Sequence, residues 1–302
     1  MKPRSILPKS FLWLATVAML AIATGAQARV TCTVNSLGFA TAYPMSGGAL
    51  NITAANFTVT CTATGRRTVT VNYQVGVNNG ANAVGTQNRA RSGGSRLNYD
   101  LYSDLGCTSQ WQNTAVNDRI PNPAASFSLA PGTSDVRTFS YYGCVPAGLT
   151  VPAAGTYTDT VTMTFTGSAS RGGSRFTGGT FPVSITAPAT CSFSQQPGNI
   201  VFNYTSFSAT AVLANTSFQA TCTNLLPYSI ALDATAGVVT GLNYTLALNT
   251  TANSGGVSPL TSRGNGIAQT FYVNGSIAAG QSGTCATGIC TGSQTHSLTI
   301  TY

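Results

Sequence analysis

The chain contains no glutamate and, after residue 9, no lysine; its six acidic side chains are all aspartate, and it has one histidine, His296. Acid–base catalysis needs a base and an acid poised at suitable pKa values, and this inventory barely supplies either. Asp100 and Asp104 stand four apart and read as a surface pair. The glycine-rich "RSGGSR" at 91–96 lacks the strand–loop–helix setting of a phosphate loop. "CATGIC" at 285–290 has the look of a metal knuckle but no second cysteine pair near it. The chain is therefore not expected to be an enzyme, and no catalytic residue, cofactor or metal is assigned. No basic run is interleaved with aromatics, so nucleic acid is not expected as a partner. An apolar period of 3.6 is also missing beyond the N-terminal run, which excludes a helical domain. That single apolar run, "FLWLATVAMLAIAT" at 11–24, is short of the roughly 18–20 residues that span a bilayer. It follows Lys2, Arg4 and Lys9 and precedes "GAQA", the layout of a secretory signal peptide. Residues 1–28 are expected to be removed, leaving a mature chain from Arg29.

What remains is rich in threonine, valine, tyrosine and glycine. Short alternating runs such as "NFTVTCTA" (56–63), "TVTVNYQV" (68–75), "RLNYDLYS" (96–103), "VRTFSYYG" (136–143) and "YTDTVTMTF" (157–165) are separated by Gly, Asn, Ser and Pro clusters. This is the pattern of an all-β sandwich. The chain also repeats itself: "FTVTCT" at 57–62 matches "FQATCT" at 218–223, and "LNYDL" at 97–101 matches "LNYTL" at 242–246. Eight cysteines in an exported chain read as four disulfides. They fall four to each copy: Cys32, Cys61, Cys107 and Cys144, then Cys191, Cys222, Cys285 and Cys290. Their spacing suggests Cys32–Cys61 and Cys191–Cys222. Elimination would leave Cys107–Cys144 and Cys285–Cys290, although spacing does not fix the connectivity of these four. Two domains of one fold are expected, 29–187 and 188–302. Between them "TFPVSITA" at 180–187 alternates like a strand, with Phe181, Val183 and Ile185 on one face.

The chain resembles the spore coat protein U domain family, the module of Csu-type archaic chaperone–usher pili. The likeness rests on an opening cysteine followed by "LGFATAYPMSGGAL" (37–50), on "FTVTCTA" (57–63), "LNYDLYSD" (97–104) and "VPAAGTYTDTVTMTF" (151–165), and in the second copy on "FYVNGSIAAGQ" (271–281) and "SLTITY" (297–302). It implies two tandem immunoglobulin-like, pilin-type β-sandwiches, the second lacking its final strand. It also implies a periplasmic pilus chaperone, an outer-membrane usher, and a next pilin subunit that donates the missing strand. Donor-strand complementation of this kind is recognition by β-strand addition, in which an extended segment pairs with an open sheet edge. In that frame, 180–187 is a self-donor strand that folds back through an 11-residue linker, 168–178, and completes the first domain. Leu298, Ile300 and Tyr302 would line the acceptor groove of the second. Cleavage after Ala28 would leave three residues before Cys32, too few for a donor arm. The expected role is a secreted tip subunit, extracellular and adhesive, serving surface attachment and biofilm formation. The alternative is a structural spore-coat or extracellular matrix protein.

Ten of the eleven arginines after residue 28 precede residue 188, together with five of the six aspartates, so positive charge gathers in the first half. The loops expected at the far pole of the first domain are 168–178, 64–68 and part of 105–135. They carry Arg66, Arg67, Arg171, Arg175 and Trp111, the residues singled out for attachment to a surface or host ligand whose identity the sequence leaves open.

Overall fold

The computed structural model describes residues 29–43, 50–146, 152–285 and 288–302, and the expected signal peptide lies outside them. The described chain is nearly all β, with one 3-10 turn at Val116–Asp118. The first half holds β1 (Val30–Ser36), β2 (Phe39–Ala42), β3 (Asn51–Ala63), β4 (Val69–Val77), β5 (Asn88–Ser92), β6 (Ser95–Tyr102), β7 (Ile120–Leu129), β8 (Ser134–Val145), β9 (Gly155–Ala169), β10 (Ser174–Thr177) and β11 (Gly179–Ala187). The strands form because their sequences alternate. In β9, Tyr157, Val161 and Met163 point inward while the intervening threonines face solvent.

These strands make one eleven-stranded sheet in the order β10-β1-β3-β8-β6-β5-β9-β11-β2, with β4 beside β9 and β7 beside β4. It turns over between β5 and β9, where a single pair, Arg91 and Thr158, joins the two layers. Aromatic rings fill the space between them. Tyr141 of β8 lies 5.4 Å from Phe181 of β11, and Trp111 is stacked 5.0 Å from Phe57 of β3 and 6.1 Å from Phe181. The chain crosses between layers at Leu37–Gly38, since β1 pairs with β3 whereas β2 pairs with β11. Gly38 has φ +80°, and a Cβ there would stand 1.9 Å from the Pro182 carbonyl oxygen. Only glycine permits that turn so close to β11.

The second half holds β12 (Cys191–Gln195), β13 (Val212–Cys222), β14 (Pro227–Leu232), β15 (Ala236–Val239), β16 (Leu242–Asn249), β17 (Leu260–Arg263), β18 (Ala268–Ile277) and β19 (Leu298–Thr301). They form a five-stranded sheet, β12-β13-β18-β16-β15, and a three-stranded one, β17-β14-β19. Phe218, Ile230, Leu248 and Phe271 centre a second core. The disulfides are Cys32–Cys61, Cys107–Cys144, Cys191–Cys222 and Cys285–Cys290. The first and third bridge residues directly opposite one another, β1 to β3 and β12 to β13, so the two copies share one covalent frame.

Two expectations need correction. Residues 168–178 are not a free linker: β9 continues to Ala169, and β10 pairs in parallel with β1, Val30 opposite Ser174. Glycine and serine suggest a loop, but a neighbouring edge strand and the stacking of Phe176 on Phe165, 4.9 Å between centroids, fix the segment. Trp111 does stand between strands, but its side chain is not at the surface. It is 1% exposed, and its indole N–H donates to the Val75 carbonyl at 2.7 Å, which satisfies the one polar atom such burial strands.

Candidate functional site

The site is the slot that β11 occupies in the first sandwich, together with its counterpart in the second. β11 lies between β9 and β2. It runs antiparallel to β9, with Phe181 opposite Val161, Val183 opposite Asp159 and Ile185 opposite Tyr157. It runs parallel to β2, with Val183 opposite Phe39. Phe181, Val183 and Ile185 are each 1% exposed or less. The strand enters through Gly178 and Gly179, where added Cβ atoms would stand 2.2 Å from the Met163 carbonyl oxygen and 2.6 Å from that of Val34. Backbone and side chains together make β11 part of the first core, not an appendage.

The internal repeat maps this slot onto the second sandwich residue by residue. Phe57 faces Phe139 across β3 and β8, as Phe218 faces Phe271 across β13 and β18. Gly143 is then equivalent to Gly275. The ring of Phe39 lies against Gly143, 2.5 Å from where its Cβ would be, and the ring of Phe202 lies against Gly275 at 2.4 Å. Phe202 is thus the counterpart of Phe39, and the residues around it are the counterpart of β2. On the other wall, the Tyr99 hydroxyl meets Asp159 of β9 at 2.7 Å, and the equivalent Tyr244 hydroxyl meets His296 at 2.7 Å. Asp159 and His296 correspond, so Val161 and Met163 correspond to Leu298 and Ile300.

What differs is the occupant. Among the described residues, β19 pairs only with β14, and residues 197–204 pair with no strand. Ile200, Phe202, Tyr204, Leu298 and Ile300 are only partly buried against the second core, whereas Phe39, Val161 and Met163 are 5%, 0% and 1% exposed. Tyr302 lies just past β19 and is 57% exposed. An unpaired edge beside half-covered apolar side chains is the surface that strand addition covers.

Two polar devices tie the walls down. Asp159, 4% exposed, accepts hydrogen bonds from the Tyr99 hydroxyl, the Ala81 and Asn82 amides and the Asn82 side chain, which anchors the turn after β4. Burial first and the carboxylate second push the Tyr99 phenol upward and keep it protonated. The strand pattern places Asp159 on the apolar face of β9 but gives no sign of these partners. In the second sandwich, His296 Nδ1 is 2.8 Å from Asp233 Oδ1, and the Tyr244 hydroxyl donates its one proton to Gln294 at 2.6 Å. The Asp233–His296 pair clips the end of the β14–β19 ladder, where the Asp233 amide donates to the Ser297 carbonyl.

The hydrogen bond from His296, more than any other contact, holds the Asp233 carboxyl below its ordinary 3.8. A depressed folded pKa means the contribution is complete above 3.8 and lost as pH falls through the lower folded value. Asp233 is the sole aspartate or glutamate side chain after residue 188. Acid loosening of β19, read by amide exchange from about pH 6 down to about pH 2.5, is therefore expected in the parent and absent in Asp233→Asn.

The four arginines named from the sequence do come together. β9 starts opposite Ala187, where the chain enters the second sandwich, and ends at Ala169 opposite Val71. The turns after β9, between β3 and β4, and between β7 and β8 therefore share the pole facing away from the second sandwich. Arg66, Arg67, Arg171 and Arg175 are exposed there, and Arg29 joins them. Residues 103–119 do not reach that pole; they cover the side of the sandwich, tied through Cys107 to Cys144 near the opposite end of β8. Among the described residues, no cluster of three His, Cys, Asp or Glu side chains could hold a metal ion.

No curated protein matches the chain. Among solved structures, it is similar to a chain in the crystal structure of the CsuC–CsuE chaperone–tip adhesion subunit pre-assembly complex from archaic chaperone–usher Csu pili of Acinetobacter baumannii. That similarity covers 90% of this chain and 100% of that one, at 14% identity and a TM-score of 0.45. The profile of the Spore Coat Protein U domain matches residues 16–164 and 177–255, well over half of the sequence. With its paired sandwiches and matching cysteine frame, the chain belongs to the Spore Coat Protein U domain family.

Proposed function

We propose that this protein is a secreted pilus subunit of the chaperone–usher pathway, positioned at the filament tip and used for attachment. One observation carries the reading. The segment that alternates like a donor strand, β11, is built into the protein's own first sandwich, while the equivalent slot of the second has both walls and, among the described residues, no paired strand. A subunit arranged this way accepts a strand from its neighbour through the second sandwich, 188–302, and turns its first sandwich, 29–187, outward. The exposed edge also explains the expected partners. A periplasmic chaperone would cover it before assembly, an outer-membrane usher would exchange that cover, and the next pilin would supply the final strand. Attachment and biofilm formation then fall to the first sandwich.

Immunogold labelling of whole filaments with antibody to the first sandwich tests this. Gold at filament ends is expected, and label spread evenly along shafts, or confined to a matrix without filaments, would sink the tip role.

A further inference from the structure

The arginines of the first sandwich are not scattered. Arg91 and Arg96 donate to the Gly93 carbonyl, and Arg137 pairs with Asp135 at 2.8 Å. By contrast Arg29, Arg66, Arg67, Arg171 and Arg175 are all exposed at one pole, and among the described residues none forms an ion pair. Three chain segments build this pole, and their backbones are bonded together. The Arg29 amide donates to Gly173 at 2.7 Å, and the Thr64 amide donates to the Arg29 carbonyl at 2.9 Å. The Arg29 side chain lies over Gly172, 2.2 Å from where a Cβ would be, so a larger residue would displace it. Asp135, near the start of β8, is taken by Arg137, and gathering five like charges with no carboxylate paired to any of them is unfavourable in the free protein. Solubility alone would be served as well by spreading them.

We infer that this pole binds an acidic polysaccharide, its guanidinium groups pairing with repeated carboxylate or sulfate groups along the polymer. Arginine's planar fork suits such groups. A linear polymer bearing an anion on each repeat can meet cations from three adjacent turns at once. The nearest exposed large hydrophobic side chain is Val136, at the start of β8, and one valine makes no wedge for a lipid bilayer. The aromatic ring of the pole, Phe176, is turned inward onto Phe165, which leaves no stacking platform for a nucleic acid. The inference deepens the attachment reading by naming the ligand class, but its test uses the isolated full-length protein and does not depend on filament position.

The experiment measures binding to immobilised polygalacturonate and heparin, with neutral dextran and phosphatidylglycerol vesicles alongside. Both acidic polymers are expected to bind, dextran is not, and binding should collapse between about 0.05 M and about 0.5 M salt as charge is screened. The variant R66Q/R67Q/R171Q/R175Q should weaken binding by about tenfold or more. The control R91Q/R96Q, which also removes charge but elsewhere, should change it by no more than about twofold. All six positions are exposed, and unchanged thermal unfolding will show that the variants are folded. Retained binding in the pole variant, equal loss in the control, or vesicle binding as strong as polygalacturonate binding would each overturn the proposal.

Discussion

Protein carrying Val183→Asp is expected to have its first sandwich unfolded and its second intact. Val183 is 1% exposed, lies between Asp159 on β9 and Phe39 on β2, and shares its face with Phe181 and Ile185. An aspartate there loses the burial of a valine, about 1.5–3 kcal/mol. It also brings a carboxylate into the register opposite Asp159, itself already buried, with no cation among the bonded neighbours. Burying an unpaired charge commonly costs more than the lost packing. The sum, about 5 kcal/mol or more, is the size of a whole domain's stability. Trp111 is the only tryptophan after residue 13, and it stacks on Phe181, so its fluorescence reports this sandwich alone. A parent-like unfolding midpoint by that probe would contradict the assignment of β11 to the first core. Ile185→Asp should behave the same way, whereas Ser184→Asp, on the outward face, should be tolerated.

The second large effect is a gain. A synthetic peptide of sequence TFPVSITA added to the parent protein should stabilise the second sandwich and leave the Trp111 transition where it was. Among the described residues β19 has one free edge, and Leu298, Ile300, Phe202 and Tyr204 are only partly covered. A strand laid between them would bury those side chains and pair the edge. At a hundredfold excess over its dissociation constant, such a peptide adds about 2.7 kcal/mol. Amide exchange along β14, β18 and β19 is the readout. Slower exchange with TFPVSITA, and none with a peptide in which the valine and isoleucine positions are aspartate, is the expected pair of outcomes. Equal protection by both peptides, or by neither, would mean that the half-buried residues are not an acceptor groove.

Much of this is legible in the residues, and the exceptions have physical reasons. The alternation of 180–187 identifies β11 because a strand buried on one face must repeat every second residue. Similar cysteine spacing, 29 residues in one copy and 31 in the other, foretells the two cross-strand disulfides, since each copy places them at opposed positions of paired strands. Trp111 reads wrongly as a surface residue because one aromatic in a serine- and asparagine-rich stretch has no periodicity. Its burial depends on Phe57, Tyr141 and Phe181 from distant strands. Residues 168–178 have a composition that suits a loop, while their pairing partner, β1, lies more than a hundred residues earlier. Asp159 is visible only as a polar residue in an apolar row, and nothing local shows the turn that bonds to it. The equivalence of Phe39 and Phe202 emerges only when both rings are seen against matching glycines.

The parallel pairing of β1 with β10 governs how this protein must fold. Val30 and Ser174 are neighbours in the sheet, and β11 follows β10 directly. The first sandwich therefore cannot close until nearly all of its length has been made and is free to fold. Such distant contacts are slow to form, because each loop must be ordered before its ends gain anything. Through that delay β1 waits for β10, and β2 and β9 wait for β11, with bare strand edges, the surfaces most prone to pairing with the wrong chain. A newly made first sandwich thus has the same interval of vulnerability as an unfinished second one, but ends it with a segment of its own.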